Sequence, residues 1–189
     1  MNQLNSKHGF SLIEMLTAIV IIGILAAIAI PNFSRWKEKY EINGETKKVY
    51  FDLLLAHSTS ISNNHNVLVT FDPINNSYKV LKDKNNNGQE DSGETIKSVN
   101  LENNIQFGFN SGVLDLEGNL VTSSIFFANG NAITFNSRGQ ASTSGSVFLI
   151  HKSDIGQSNS RLRSINIIQS TGAIESLEYS SSGSSGSWS

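Results

Sequence analysis

Apolar and polar positions are distributed very unevenly along this chain. From Leu12 to Ile30 it reads LIEMLTAIVIIGILAAIAI, interrupted only by Glu14, Thr17 and Gly23. About 20 apolar residues cross a bilayer as a helix, so the run predicts a transmembrane segment over residues 10–31. A core helix apolar on every side would need a larger protein around it. A cleaved secretory signal would end in a small-residue site after a shorter apolar core, whereas this run continues into a second helical pattern. Beyond Pro31, Phe33, Trp36, Tyr40, Lys47, Tyr50 or Phe51, Leu54 and Ile61 recur at steps of three to four among Arg35, Lys37, Glu38, Lys39, Glu41, Glu45 and Lys48. That spacing predicts an amphipathic helix over residues 32–62 whose apolar side forms one wall of a core. Pro31 lacks a backbone donor and crowds the preceding turn, which predicts a helix break or loosening near Ile28 to Ile30. Gly44 is a second weak point, about 1 kcal/mol poorer than Ala in a helix.

After Asn63-Asn64 the period switches to two. Val67–Phe71, Tyr78–Leu81, Ile96–Val99, Ile105–Phe107, Ile125–Phe127, Ile133–Phe135, Val147–Ile150, Ile165–Ile168 and Ile174–Leu177 are short, β-branched or aromatic, and bounded by Asn, Gly and Ser. They predict antiparallel strands. Turns are expected at Asp72–Asn76, Asn136–Gly139 and Thr171-Gly172. The expected fold class is therefore α+β, a long N-terminal helix packed on one or two antiparallel sheets, with the β domain spanning residues 63–179. The last ten residues, 180–189, are low in complexity and read as a flexible Ser/Gly tail outside the fold. Their Trp188-Ser189 ending resembles the start of an affinity tag.

Composition narrows the function classes. Only 16% of the 189 residues are charged, while Ser and Asn fill 51 positions, so the surface is polar but weakly charged. With 14 Lys+Arg against 16 Asp+Glu, the net charge of -2 gives no bulk attraction for polyanions, and nucleic acid is not an expected partner. Zero cysteines exclude a disulfide framework and a thiolate nucleophile. The four histidines form no H-E-x-x-H, and neither a G-x-S-x-G elbow nor a phosphate loop is present, so no enzyme is expected. His57 reads as a partly buried core residue.

Glu14 stands out, because an ionised carboxylate in hydrocarbon costs about 2.5–3.5 kcal/mol and calls for a partner. Its neighbours are Gly9-Phe10-Ser11-Leu12-Ile13-Glu14, followed by the apolar helix and Pro31-Asn32-Phe33. This stretch resembles the leader and helix of type IV pilins and type II secretion pseudopilins. The helix end Leu54–His57, Ile133–Gly139 and the hairpin at Gly172 extend the likeness to the GspH/FimT-type minor pseudopilins and minor pilins. The resemblance implies a leader over residues 1–9, prepilin peptidase cleavage between Gly9 and Phe10, methylation of the Phe10 amine, and pairing of Glu14 with the Phe10 amine of an adjacent subunit. It implies as partners other pseudopilins or pilins, the peptidase, an inner-membrane assembly platform and the lipid bilayer. It also implies a single-pass inner-membrane protein with a periplasmic domain. Charge does not set this orientation, since Lys7 precedes the run and Arg35, Lys37 and Lys39 follow it. Three functions are open: a minor pseudopilin of type II secretion, a minor pilin of a type IV pilus, or a membrane-tethered calcium-dependent binding module.

The last of these rests on Asp83–Glu94, DKNNNGQEDSGE, which satisfies the D-x-[DN]-x-[DN]-G-x₅-E calcium pattern at every position. Donors would be Asp83, Asn85, Asn87, the Gln89 carbonyl, Asp91 and Glu94, with Gly88 at the sharp turn. The alternative is a hydrophilic hairpin loop chosen for turn geometry. Arg161 and Arg163 are expected on one face of a solvated strand edge.

Overall fold

The computed structural model describes residues 10–128, 130–180 and 186–189. The leader, including Gly9, and residues 181–185 lie outside the described residues. The chain divides into two units, Met1–Glu38 and Lys39–Ser189. One helix, α1 (Leu12–Asn63), runs through both. Ser11 caps it, its Oγ accepting the Glu14 N–H at 3.2 Å, in the S-x-x-E arrangement that favours helix starts.

In the first unit the side chains from Leu12 to Ile30 are almost all exposed. An 18-residue window in α1 has a mean hydropathy of 2.7, and none of it is buried inside the protein. The helix is not interrupted at Pro31, contrary to the expected break. Pro31 cannot bond the Ala27 carbonyl, but the Asn32 side chain donates to the next carbonyl, Ile28 O, at 2.9 Å. Helix already propagated on either side confines the defect to one missing bond.

In the second unit α1 buries Ile42, Val49, Leu53 and Ala56 together with the polar Glu45, Thr46, Asp52 and Ser60. This is not the expected stripe. Tyr40 and Phe51 point to solvent, Phe51 at 60% exposure, while Tyr50 and Leu54 only border the core. At 100° per residue Phe51 lies half a turn from Ile42, so the aromatic spacing marked the outer face. Gly44 leaves α1 unbroken.

Among the described residues ten strands follow: β1 (Asn66–Asp72), β2 (Ser77–Asp83), β3 (Thr95–Asn100), β4 (Ile105–Phe107), β5 (Ile125–Phe127), β6 (Ala132–Phe135), β7 (Gly145–His151), β8 (Arg163–Ile167), β9 (Ile174–Ser180) and β10 (Ser187–Trp188). The first nine are the expected strands. They form two sheets, β3-β2-β1-β6 and β10-β9-β8-β7-β4, with β5 also on β7. Every pairing is antiparallel. Asp72 shapes the β1–β2 turn by accepting the Ile74 and Asn75 N–H groups, each at 3.0 Å.

The α1 stripe packs with Val67, Val69 and Phe71 of β1, Val80 of β2, Phe135 of β6 and Val147, Leu149, Ile165 and Ile167 of β7 and β8. A second cluster, Val113, Phe148, Ile150, Leu162 and Tyr179, covers the other face of the second sheet. β7 is thus buried on both sides, its alternate residues feeding the two cores.

The second cluster corrects the reading of the tail. Trp188 packs edge-on against Tyr179, ring centroids 4.9 Å apart, and its Nε1–H donates to Leu114 O at 2.8 Å. With Ser187 it forms β10 on β9. A Ser/Gly composition signals low propensity, but one large aromatic ring with a ready acceptor is enough to dock the chain end.

Candidate functional site

Phe10 is 81% exposed at the start of the apolar helix. Glu14 sits in the first turn, where the positive helix end favours a carboxylate. Its own carbonyl accepts the Thr17 hydroxyl at 2.9 Å. Among the described residues no ion pair is formed by Glu14. The segment therefore presents one acid, exposed and without an ion pair among the described residues, on an exposed apolar rod.

The sequence features that carried the family likeness in the globular unit meet in space. His57 Nε2–H donates to Gly139 O at 2.9 Å, and its ring lies edge-on to Phe135 at 5.5 Å. Gly172 is required beside them: its φ is +64°, and a Cβ there would come within 2.0 Å of Gly139 O. Any side chain would push apart the helix, the Asn136–Gly139 turn and the β8–β9 hairpin. His57 is thus a structural clasp, in keeping with its core reading.

Charged residues that sequence reasoning missed tie α1 to the sheets. Asp52 is buried and accepts the Tyr78 hydroxyl at 2.6 Å and Lys97 Nζ at 2.6 and 2.8 Å. Burial, reinforced by this acidic neighbour, pushes the Tyr78 phenol well above its ordinary value. Arg163 is 3% exposed, in contrast to the expected solvated edge, because β8 is an inner strand of its sheet. It reaches Asn43 Oδ1 at 3.0 Å and Glu178 at 3.1 Å. Burial lowers its pKa, with Glu178 opposing. Arg161 lies in the turn before β8 and donates through Nε to Asp154 Oδ2 at 2.7 Å. Neither arginine forms a free basic patch.

The Asp83–Glu94 loop joins β2 to β3, so its flanks are strands, as the sequence suggested. Asp83 accepts the Asn87 N–H at 3.0 Å and the Gly88 N–H at 2.9 Å through its two oxygens. The Asn85 and Asn87 side-chain NH₂ groups both donate to Asp91 Oδ2, at 2.8 and 2.7 Å, and hold that carboxyl below its ordinary range. Among the described residues no three His, Cys, Asp or Glu side chains gather as a metal cluster. The donors here would include amides and a main-chain carbonyl.

An exposed apolar rod with a single acid, leading into a helix packed on antiparallel sheets, defines a membrane-anchored, pilin-like subunit. Residues 4–30 match the prokaryotic N-terminal methylation motif. Residues 45–172 match the family of the Type II transport protein GspH, and the chain belongs to that family. The fold is shared with a crystal structure of the minor pseudopilin EPSH from the type II secretion system of Vibrio cholerae, 19% identical, over 77% of this chain and 99% of that one at a TM-score of 0.50. A second structure of that Vibrio cholerae pseudopilin is 15% identical over 73% and 97% of the two chains, TM-score 0.48. The type IV minor pilin FimU of Pseudomonas aeruginosa is 11% identical over 74% and 90%, TM-score 0.49. No significant relative is found among curated proteins.

Proposed function

We propose that this chain is a minor pseudopilin of a type II secretion pseudopilus. The single observation that carries the reading is the union, in one chain, of the methylation motif at residues 4–30 with the GspH match at 45–172. Cleavage after Gly9 by a prepilin peptidase and methylation would leave a cationic amine on Phe10. The helix from Leu12 to Ile30 holds the subunit in the inner membrane, with the sheets in the periplasm, until the assembly platform takes it up. Glu14 has no cation of its own chain among the described residues, and in hydrocarbon an ionised carboxylate is unfavourable by about 2.5–3.5 kcal/mol. The Phe10 amine of a neighbouring pseudopilin offsets that penalty only when the two helices are in register, which makes the acid a selector for correct docking.

Gene deletion followed by complementation tests this. Loss of exoprotein release, restored by the wild-type chain and not by Glu14→Ala, is the expected result, with the variant cleaved and inserted normally. Twitching motility lost with release intact would reassign the chain to a type IV pilus. A Glu14→Ala variant incorporated at the wild-type level would overturn the pairing.

A further inference from the structure

We infer that the Asp83–Glu94 loop is a calcium site at the tip of the β2–β3 hairpin, with Asp83, Asn85, Asn87, the Gln89 carbonyl, Asp91 and Glu94 as its donors. The folded chain adds to the sequence pattern an observation that turn geometry does not account for. Glu94 is only 5% exposed and Asp83 only 1%. The hairpin brings Glu94 back over the start of the loop: its carbonyl accepts the Lys82 N–H at 2.7 Å, and its Oε1 accepts the Lys84 N–H at 2.8 Å. Its other oxygen, Oε2, is buried without any donor. A carboxylate buried with one oxygen lacking a donor is unfavourable in its ionised form, and a bound cation relieves that penalty.

No side-chain cation of the described residues takes that place. Lys84 Nζ turns away to Gly93 O at 3.0 Å, and Lys79 is engaged by Glu90 at 2.8 and 2.9 Å. Asp83 is met only by backbone N–H groups, each of which leaves its oxygen a further lone pair. The middle of the ring is already drawn together. Asn85 Oδ1 accepts the Asn87 N–H at 3.1 Å and Asn87 Oδ1 accepts the Gln89 N–H at 2.8 Å, so each amide oxygen keeps one lone pair for a metal. Both amide nitrogens converge on Asp91. Gly88, at φ +71° with open space around it, makes the reversal.

All-oxygen donors select a hard cation. A carboxylate able to bind through both oxygens, together with five further donors, suits the six to eight ligands of calcium better than the strict octahedron of magnesium. Two amides in place of acids lower the ligand charge, which places the dissociation constant on the order of 10⁻⁴–10⁻³ M, the range of extracellular modules. Binding there would stiffen the end of β3, the outer strand of its sheet.

Calcium is titrated into the full chain in detergent micelles, with heat and thermal unfolding as readouts. One calcium per chain is expected, a melting temperature raised by several degrees at about 10 mM calcium, and a magnesium affinity at least about tenfold weaker. Asp83→Asn and Glu94→Gln should each weaken calcium binding by about tenfold or more, while circular dichroism shows both folded. Glu90→Gln, which alters an acid outside the donor ring, should bind as the wild type does. Absence of both heat and melting shift in the wild type at about 10 mM calcium overturns the site. So does wild-type affinity in a folded Glu94→Gln chain, or equal affinity for magnesium.

Discussion

Asp52 shows what a single polar residue can do inside an apolar stripe. It lies on the core side of α1 and gathers Tyr78 from β2 and Lys97 from β3, fixing the helix against one sheet by directional bonds rather than by shape alone. Replacing it by Ala would leave the Tyr78 hydroxyl buried without an acceptor. We expect Asp52→Ala to destabilise the globular unit by about 1–3 kcal/mol, read as a lower urea midpoint at unchanged slope. Asp52→Asn, which keeps an acceptor, should lose less. The residue scale is also where sequence reasoning was most uneven. Glu14 stood out because an ionised carboxylate in an apolar run is unfavourable by about 2.5–3.5 kcal/mol, whereas its pairing role rests on the resemblance. Arg163 did not stand out, because a strand residue two positions from another arginine reads the same whether its strand is inner or outer.

At the scale of elements, the nine strands were legible from a period of two and the turns from their Asn and Gly. The buried face of α1 was not. Glu45, Thr46, Asp52 and Ser60 hide the core stripe behind polar letters, and Tyr40 and Phe51 advertise the opposite side. Phe51 still contributes an edge-on contact with Tyr50, ring centroids 5.5 Å apart. Gly44 is the clearest local liability of the helix. It has ordinary helical φ, and nothing lies within 4 Å of a Cβ placed there. Gly44→Ala should therefore stabilise by about 0.5–1 kcal/mol, checked by thermal unfolding. A destabilised variant would show that the helix needs its freedom at that point.

For the whole molecule, the second core is the feature that composition concealed. Phe148 and Tyr179 would face solvent on the outer side of their sheet were they not roofed by the segment carrying Val113 and by Trp188. Trp188→Ala should cost roughly 1–3 kcal/mol, less than a fully buried tryptophan because its ring is only part-covered. An unchanged urea midpoint would show that the chain end is an ornament on a core that is complete without it.

The sequence alone determined the apolar helix, the methylation motif, the α+β class, the order of nine strands and three of their turns. Each of these depends on short-range spacing: run length against bilayer thickness, period against backbone geometry, and glycine or asparagine where the chain reverses. Tertiary structure alone decided which side of α1 is the core, that Arg163 is interior, that Trp188 belongs to the fold, and that Glu94 is sealed in with an unused oxygen. Those are questions of burial. Burial depends on what residues distant along the chain bring against a side chain, and no local pattern records it.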